Sequence, residues 1–363
     1  MPQCQRSSST SLQAGSMASE ITFVLRGRPF GGGANSVAQE FAALVDNYGM
    51  GRLLVEPQHL DVFRRGYDWS VTALDRLSAD PQDIPDGAAI VATTNDSLSL
   101  VLDEFSERAS RVYYYVQDYE PLFYPRHSRQ HTVAIASYGR AKAAVAVVKT
   151  DWLAQVLMSR TFFPVVKIRP SLDRTIYRPR PLRADGHRRT LVAMLRPSTP
   201  RRGSQRTVAV INRLAQSASL ALDIEVFGTS NDELGMAGLR MSPRIRNHGR
   251  VSPKQAAEIV CSSDFLLDLS DYQAFGRTVA EGLAAGVVPI VTDRGAPPSY
   301  VTHGVSGFLV TPSDIDAAYD YVKQATRLPD DELAAMRLAA MEAVSEWSVD
   351  ATASDWFALT RDS

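Results

Sequence analysis

Residues 264–292 read Asp-Phe-Leu-Leu-Asp-Leu-Ser-Asp-Tyr-Gln-Ala-Phe-Gly-Arg-Thr-Val-Ala-Glu-Gly-Leu-Ala-Ala-Gly-Val-Val-Pro-Ile-Val-Thr. Within this stretch, residues 265–269 form an apolar run with the length of a buried strand, and residues 278–285 carry small and apolar side chains at helical spacing. Gly286 stands where such a helix would end, and residues 287–291 are apolar again. The stretch therefore predicts a strand, a loop, a helix and a second strand, which together make one unit of a parallel sheet.

The loop of this unit has the features of an anion-binding site. Phe275-Gly276 leads directly into the predicted helix, where free backbone N–H groups and the positive end of the helix dipole attract a phosphate. Glu281 follows about one helical turn later and is placed to accept hydrogen bonds from a sugar hydroxyl. The alternative is an ordinary parallel strand–helix–strand unit in which Glu281 is structural.

The stretch resembles the donor-site segment of the GT-B glycosyltransferases, particularly the large retaining family 4. That family carries two glutamates separated by seven residues, with Phe-Gly just after the first. This chain has Gln273 and Glu281 at that separation, with Phe275-Gly276 in place. The resemblance implies that Glu281 binds the nucleotide ribose and that Gln273, an uncharged departure from the pattern, contacts the transferred sugar. It also implies donor contacts at Phe275, Gly276, Arg277 and Thr278.

The composition of the 363 residues is that of a soluble globular protein with room for two domains. The formal net charge of -1 gives no global indication of nucleic acid binding, and no run approaches the roughly 18 apolar residues of a membrane helix. Cys4 and Cys261 form neither a disulfide framework nor a metal-ligand spacing, which suits a reducing cytoplasm. Residues 1–19 are Ser-rich and lack the apolar core of a secretion signal, so we expect a disordered tail there.

Arginines are dense and acids are few between Arg169 and Arg206. Such a stretch could bind phosphates or an anionic membrane surface. It could equally be solvent-exposed arginine in a chain that uses arginine in preference to lysine. The sequence leaves these alternatives open.

The first half of the chain alternates between predicted strands and predicted helices. The strands are expected at residues 21–25, 53–55, 88–92, 112–116, 144–148 and 165–168. The helices are expected at residues 61–77, 97–105 and 151–158. Alternation of this kind predicts a parallel, doubly wound sheet that binds ligands at the carboxyl ends of its strands.

A glycine-rich turn, Gly31-Gly32-Gly33, follows the first predicted strand, and Asn35 or Ser36 is expected to cap the helix after it. Glycine lets a ligand approach the backbone closely, although the spacing matches neither the dinucleotide fingerprint nor a P-loop. In family 4 a Gly-Gly turn at this place faces the cleft. The resemblance therefore implies donor contacts at Gly32 and Gly33.

A second candidate loop begins at the end of a predicted strand. Residues 113–125 read Tyr-Tyr-Tyr-Val-Gln-Asp-Tyr-Glu-Pro-Leu-Phe-Tyr-Pro. Aromatic faces beside carboxylates suit a sugar, whose C–H faces stack while its hydroxyls form hydrogen bonds. Gln117 and Tyr119 are the candidate acceptor-binding residues, and Asp118 or Glu120 is the candidate that orients or activates the acceptor. A Tyr-rich strand with solvated acids is the alternative.

The same loop is similar to a narrower GT-B group, the rhamnosyltransferases of bacterial S-layer glycan and rhamnan synthesis. In that group the run Tyr-Phe-Val-Gln-Asp-Phe-Glu-Pro and a following Phe-Tyr-Pro are characteristic. The later residues Ala136-Ser137-Tyr138 and Arg196-Pro197 with Arg201-Arg202 fit the group too. Its donor is dTDP-L-rhamnose, so the resemblance favours a dTDP-sugar and leaves UDP- and GDP-sugars open.

The second domain opens with a strand expected at residues 190–195, which is followed by Arg196 and then by Arg202 just before Gly203. The family 4 resemblance implies that both arginines grip the donor diphosphate. The chemistry suits them, because a guanidinium is always charged and its fork of N–H groups matches phosphate oxygens. Two cations and a helix N-terminus can neutralise a diphosphate, so we expect no metal and no cofactor.

A turn in the second domain, His248-Gly249-Arg250-Val251, precedes a helix that is expected to start near Pro253. In family 4 the nucleobase lies against the backbone of this turn, so the resemblance implies donor contacts at His248 and Val251. A solvent-exposed loop histidine is an equal alternative for His248.

The domain organisation expected from these features has four parts. They are a disordered tail at residues 1–19, an acceptor-binding domain at 20–180, a nucleotide-sugar-binding domain at 181–345, and a terminal helix at 346–363 that returns to the first domain. The fold class is α/β, with two Rossmann-like doubly wound domains facing across a cleft, as the GT-B resemblance implies.

The expected function is a metal-independent, retaining hexosyltransferase of the EC 2.4 class that takes its sugar from a nucleoside diphosphate. Its acceptor would be a hydroxyl of a carbohydrate, a lipid-linked glycan or a small molecule, in the cytoplasm or at the inner face of the membrane. A GT-B sugar-nucleotide epimerase and a non-catalytic sugar-nucleotide or glycan-binding protein are the two rivals. Gln273 is the residue that most favours the second of these.

Overall fold

The structure is a computed structural model that describes residues 20–27, 31–66, 74–78, 80–160, 164–181, 188–217 and 219–361. The tail expected at residues 1–19 lies outside this part of the chain. The described residues form two parallel sheets, one with seven strands and one with six. The predicted fold class, two doubly wound α/β domains that face each other, is confirmed.

The first sheet is covered by helices on both faces. Its strands are β1 (Ile21–Leu25), β2 (Arg52–Val55), β3 (Leu74–Arg76), β4 (Ala88–Ala92), β5 (Ala109–Tyr115), β6 (Val145–Val148) and β7 (Val165–Lys167). Its helices are α1 (Gly32–Tyr48), α2 (Leu60–Gly66), α3 (Asn95–Leu100), α4 (Arg129–Arg140) and α5 (Asp151–Arg160). The strand order is β3-β2-β1-β4-β5-β6-β7, and a buried apolar cluster lies on each face.

The second sheet repeats this arrangement. Its strands are β8 (Arg189–Met194), β9 (Leu222–Phe227), β10 (Ile245–Asn247), β11 (Phe265–Asp268), β12 (Val288–Thr292) and β13 (Phe308–Val310). Its helices are α6 (Ser204–Gln216), α7 (Asn231–Met236), α8 (Pro253–Cys261), α9 (Arg277–Ala284), α10 (Ile315–Thr326) and α11 (Asp330–Glu342). The strand order is β10-β9-β8-β11-β12-β13, so β11, α9 and β12 form the predicted parallel unit.

The strand order places a ligand crevice in each domain. In the first sheet the direction of winding reverses between β1 and β4, and in the second it reverses between β8 and β11. Open α/β sheets bind ligands at the carboxyl ends of the strands at such a point. The two crevices face each other, since the Thr150 hydroxyl of the first domain donates to the Ala274 carbonyl of the second at 2.8 Å.

The terminal helix α12 (Val349–Arg361) packs against α1, as expected for a helix that crosses back to the first domain. Trp356 of α12 is fully buried, with its ring 5.2 Å from that of Phe23. Its indole Nε1 donates to Glu40 at 3.0 Å. The helix is therefore part of the first domain's core, although it follows the second domain in the chain.

Two local predictions were wrong. The helix predicted at residues 61–77 is described as Leu60–Gly66, residues 67–73 lie outside the described part of the chain, and Leu74–Arg76 is instead the edge strand β3, which runs parallel to β2. Only Leu74 of β3 is buried, so three residues show too little periodicity to reveal a strand. The side-chain cap expected from Asn35 or Ser36 is absent, because α1 starts earlier, with Gly31 at its N-cap.

Other elements were not foreseen. The strand β10 has three residues, too few for a recognisable pattern, and α4 has only three buried side chains, which leaves its apolar periodicity weak. Of the described helices, none combines the length and the apolar character that crossing a membrane requires.

Candidate functional site

The loop between β8 and α6 is pressed against the carboxyl end of β11. A Cβ atom at Gly203 would lie 2.1 Å from the Leu269 carbonyl oxygen, and the φ angle of Gly203 is +65°. Glycine is needed here both for space and for its left-handed backbone. The Arg196 amide donates to Ser204 Oγ at 2.9 Å. These contacts fix the arginine-bearing loop beside the loop that follows β11.

Arg196, Arg201 and Arg202 make the centre of the cleft positive. Burial lowers the pKa of Arg196 and of Arg202, and the nearby cation of Arg201 lowers both further. Partly buried cations that repel one another are stabilised by an anion that binds among them. The arrangement favours a ligand with several negative charges, such as a diphosphate.

Arg201 joins the two domains. Its Nη2 lies 3.1 Å from Asp118 Oδ2 of the first domain. Its guanidinium carbon lies 4.7 Å from the ring centroid of Phe123 and 5.2 Å from that of Tyr272. The Nη1 atom is buried and has no hydrogen-bond partner within the described part of the chain. It is a donor that a ligand could satisfy.

The N-terminus of α9 lies at the end of β11, as predicted. Gly276 is the N-cap with a φ angle of +81°, and a Cβ atom there would lie 2.5 Å from the Tyr300 hydroxyl. That hydroxyl donates to the Phe275 carbonyl at 2.5 Å, which holds the turn in place. The first hydrogen bond of α9 runs from the Ala280 amide to the Gly276 carbonyl. The amides before Ala280, including those of Arg277 and Thr278, therefore lie in the turn that helices leave free for an anion.

Gln273 connects the two loops of the second domain. Its side chain accepts a hydrogen bond from Arg202 Nη1 at 2.5 Å, and only 2% of the residue is exposed. Its backbone carbonyl accepts from the Ala296 amide at 2.7 Å, and its amide donates to the Arg294 carbonyl at 3.2 Å. The residue is held on both sides, so its side chain has a fixed position beside the arginine cluster.

Arg277 and Glu281 form a buried pair that reaches across the cleft. Arg277 Nε donates to Glu281 Oε1 at 2.7 Å. The other guanidinium nitrogens donate to Ser36 Oγ at 2.8 Å and to Gln39 Oε1 at 2.7 Å, both on α1. Burial raises the pKa of Glu281, and the charge of Arg277 partly offsets that effect. The predicted ribose-binding acid is thus tied to the first domain.

The glycine turn of the first domain lies directly opposite. A Cβ atom at Gly33 would lie 3.2 Å from the Gln117 amide, and one at Gly32 would lie 3.6 Å from Arg277 Cδ. The structure therefore brings Gly32, Gly33 and Gln117 together with Arg277, the first residue of α9.

The acids of the aromatic loop take different positions. Asp118 points to the domain interface, where it contacts Arg201, and burial raises the pKa of its carboxyl group. Glu120 points inward and accepts from the Asn95 amide at 3.0 Å and from the Tyr114 hydroxyl at 2.9 Å. The Tyr119 ring is 7% exposed and packs 5.1 Å from Tyr138 in the core of the first domain. Of these three side chains, Asp118 is the one placed beside the arginine cluster.

Glu120 is expected to make stability depend on pH. Burial raises its pKa from 4.5 to about 7, so the folded state holds this proton more tightly than the unfolded state. The stability that this proton contributes is fully present below about pH 4.5 and is lost as the pH rises to about 7. Over that range the free energy of unfolding falls by about 3 kcal/mol.

Glu120→Gln should therefore gain stability relative to the wild type between pH 5 and pH 8, as measured by urea denaturation at each pH. Glu104→Gln, at an exposed glutamate of the same domain, is the control. A stability difference between wild type and Glu120→Gln that stays constant over this range would contradict the prediction.

His248 and Val251 lie near the end of β10, at the edge of the second sheet. His248 Nε2 lies 2.7 Å from Glu225 Oε2, and its amide donates to the Val226 carbonyl at 2.9 Å. Val251 packs against the buried cluster that also contacts Phe275. The side chain of His248 thus has a structural partner on the neighbouring strand β9.

Several residues in or near the site had no specific role predicted from the sequence. Arg201 forms the domain contact, Asp268 contacts the Gln273 amide, and Glu40 accepts from Lys149 Nζ at 2.6 Å in the buried centre of the first domain. An arginine next to Arg202 and an acid at the end of an apolar strand were visible signals. Asp118, the partner of Arg201, lies in the other domain, and the contact of Asp268 with Gln273, five residues later, depends on how the loop between them folds, so neither signal had a predicted meaning.

Most of the arginines between Arg169 and Arg206 have protein partners. Arg169 contacts Asp355, Arg188 contacts Asp223, and Arg206 contacts Asp271. Of the described arginines in that stretch, Arg196, Arg201 and Arg202 form the cluster in the cleft. Within the described chain, no three His, Cys, Asp or Glu side chains are grouped so that they could hold a metal ion.

Comparison with protein families finds a match in the second domain. The model of the family described as glycosyl transferases group 1 matches residues 200–341. Among curated proteins, N-acetyl-alpha-D-glucosaminyl L-malate synthase of Bacillus anthracis is 36% identical over 77 residues, 21% of this chain and 20% of that protein. Sucrose synthase 5 of Arabidopsis thaliana is 39% identical over 51 residues, 14% of this chain and 6% of that protein. These matches span a fifth or less of each curated relative.

Solved structures resemble nearly the whole chain. Sucrose-phosphate synthase from Thermosynechococcus elongatus has a TM-score of 0.74 at 15% identity, over 95% of this chain and 98% of that one. HepE of Anabaena, solved in complex with UDP-glucose, has a TM-score of 0.71 at 16% identity, over 94% of this chain and 99% of that one. At such identities the likeness establishes the fold.

Proposed function

We propose that this chain, which has the GT-B fold and a second domain of the glycosyl transferases group 1, transfers a sugar from a nucleoside diphosphate to an acceptor hydroxyl. The donor would bind the second domain, and the acceptor would bind the first. The observation that carries the proposal is the 2.5 Å contact of Arg202 with Gln273. It joins the arginine-bearing loop and the loop before α9, which supports a donor site formed by two cations and a helix N-terminus.

This geometry supports catalysis by positioning and charge stabilisation. As the glycosidic bond breaks, negative charge develops on the departing diphosphate. Arg196, Arg202 and the first amides of α9 are preorganised to stabilise that charge without a metal. Glu281 is assigned to the ribose and Gln273 to the transferred sugar. Retention of the anomeric configuration, with the diphosphate oxygen helping to deprotonate the acceptor, is the route that the family 4 resemblance favours.

On the acceptor side we assign Asp118 to the orientation of the acceptor hydroxyl. Its carboxylate lies beside Arg201 at the cleft, whereas that of Glu120 is occupied by the Asn95 amide and the Tyr114 hydroxyl. Gln117, next to Gly33, is the second acceptor-side candidate. In this assignment Glu120 and Tyr119 support the loop from behind.

The donor proposed first is a dTDP-sugar, with rhamnose or another deoxyhexose as the transferred group. The likeness of the aromatic loop to the S-layer and rhamnan rhamnosyltransferases supports this choice. The UDP-glucose complex of the Anabaena neighbour supports testing UDP-sugars beside it. A role in polysaccharide synthesis would follow from either donor, with a carbohydrate, lipid-linked or small-molecule acceptor.

A lipid-linked acceptor would bring the first domain to a membrane surface. Leu122 and Phe123 are 41% and 44% exposed, and Arg126 and Arg129 follow them on the surface. Apolar side chains next to cations suit an anionic leaflet. We propose a cytoplasmic protein and, for a lipid-linked acceptor, contact of this loop with the inner face of the membrane.

Product analysis tests the proposal directly. The protein is mixed with dTDP- and UDP-sugars, each with and without an acceptor glycan, and the products are identified by mass spectrometry and NMR. A transferred sugar with retained configuration supports the proposal. Conversion of the nucleotide sugar without an acceptor would instead identify an epimerase, and binding without any product would identify a non-catalytic binder.

Nucleotide binding is expected to be independent of metal ions. Because arginines and backbone amides supply the positive charge, dTDP or UDP should raise the Tm in buffer that contains EDTA, by mass action. The measurement is a thermal-shift panel of dTDP, UDP, GDP and ADP with EDTA or with Mg²⁺. A shift that appears with Mg²⁺ alone would show that the diphosphate site needs a divalent cation.

A further inference from the structure

Gln273 has more than one polar partner in the cleft. Besides accepting from Arg202, its side chain donates through Nε2 to Asp268 Oδ2 at 2.6 Å and to Ser270 Oγ at 3.1 Å. The other oxygen of Asp268 accepts from the Ser270 amide at 2.9 Å and from the Ser270 hydroxyl at 2.5 Å. Arg202, Gln273 and Asp268 thus form a continuous chain of hydrogen bonds from the loop that enters α6 to the end of β11.

The chemistry of its two partners, Arg202 and Asp268, determines the orientation of the side-chain amide of Gln273. A guanidinium can only donate, and a carboxylate can only accept. The oxygen of Gln273 must therefore face Arg202, and its NH2 group must face Asp268. Gln273 consequently presents an oxygen to the arginine cluster, as a glutamate at the same position would.

The site also holds a negative charge next to Gln273. Where the family pattern has its first glutamate, this chain has the amide of Gln273. The carboxylate of Asp268 lies one hydrogen bond further from Arg202. Together the two side chains carry one amide and one carboxylate. An acid at position 273 with an amide at position 268 would have the same charge, and the acid could still accept from Arg202 and from residue 268.

We propose that Asp268 is a positioning residue of the donor-sugar site. It orients Gln273 with its oxygen toward Arg202, and it supplies the negative charge that a glutamate at position 273 would carry. This inference rests on the proposed function and deepens it. It identifies the pair Asp268–Gln273, rather than residue 273 alone, as the counterpart of the first glutamate.

Exchanging the two groups tests the proposal. Gln273→Glu places two carboxylates where an N–H···O bond was. Asp268→Asn removes the charge and leaves one oxygen at position 268 to accept from both Gln273 and Ser270. The double variant Asp268→Asn/Gln273→Glu restores the bond to Arg202 and the bond between positions 268 and 273, because the amide introduced at position 268 can donate to the new carboxylate and still accept from Ser270. The weaker 3.1 Å contact of residue 273 with Ser270 Oγ is lost. The cycle measures how far the two positions depend on each other.

Affinities for a nucleotide sugar and for its bare nucleoside diphosphate are measured by calorimetry for the wild type and the three variants. Each single variant should bind the nucleotide sugar at least about 10-fold more weakly, with a loss at least about 5-fold larger than that for the bare nucleotide. The double variant should return to within about 5-fold of the wild type. Asp271→Asn, an exposed acid three residues from Asp268, is the matched control.

A purely structural role for Asp268 would weaken both ligands equally or neither, and that result overturns the inference. So does a double variant that binds no better than the single ones. If Gln273→Glu does not fold, the comparison of Asp268→Asn with the double variant decides the matter. A wild type that binds no nucleotide sugar overturns the proposed function and the inference with it, whereas a wild type that binds, with no recovery in the double variant, overturns the inference alone.

Discussion

Replacing Arg202 with alanine is expected to slow sugar transfer by about 30- to 1000-fold, which corresponds to about 2–4 kcal/mol of lost transition-state stabilisation. The guanidinium is buried among other cations and donates to Gln273 at 2.5 Å, so its position is set before a ligand arrives. A preorganised donor of this kind acts most strongly on the charge that develops as the diphosphate leaves. Steady-state kinetics with donor in excess measures the loss in kcat.

Arg202→Lys is the informative companion. It keeps the charge but loses the fork of N–H groups, so its activity should fall between those of the wild type and Arg202→Ala. Arg213→Ala is the control, because Arg213 lies on the neighbouring helix α6 but is half exposed and pairs with Asp316 at the surface. Wild-type turnover in Arg202→Ala would show that this arginine does not act on the reacting groups.

The second large effect is expected at Glu281. Glu281→Ala should lower the free energy of unfolding by about 3–5 kcal/mol, since it leaves the buried Arg277 guanidinium without its carboxylate. The same substitution should weaken binding of dTDP or UDP by about 1.5–3 kcal/mol if the carboxylate also accepts from the ribose. Urea denaturation and calorimetry measure the two losses separately.

The double variant Arg277→Ala/Glu281→Ala separates the structural role from the binding role. Removing both charges leaves no unpaired ion, so most of the lost stability should return. Nucleotide affinity should stay low, because the ribose has still lost its acceptor. Full recovery of affinity together with stability would show that Glu281 serves only to hold Arg277.

Arg277 also makes the donor site depend on the arrangement of the domains. Through Ser36 and Gln39 it ties the loop of Glu281 to α1. Any ligand that competes for Glu281 therefore acts on a contact between the domains. Family resemblance pointed to Arg277 as a donor-site residue, and the structure adds a partner on the opposite side of the cleft.

The sequence by itself determined the elements whose causes are local. The strand–helix–strand unit around Phe275-Gly276 was predictable because apolar periodicity and a glycine before a helix depend on adjacent residues. The same holds for the alternation that predicted the doubly wound sheet of the first domain, whereas two such domains facing each other came from the GT-B resemblance. The return of the last helix to the first domain came from resemblance, and the burial of Trp356 against Phe23 confirms it.

Only the tertiary structure decided how the polar side chains are paired. Arg202 and Gln273 are 71 residues apart in the chain, and Arg277 and Ser36 are 241 apart. No local pattern relates such positions, because hydrogen-bond partners are chosen by where the sheets bring the loops together. Gln273 looked like a lost charge in the sequence. In the folded chain it accepts from Arg202 and donates to Asp268, so the carboxylate that residue 273 lacks stands one hydrogen bond away.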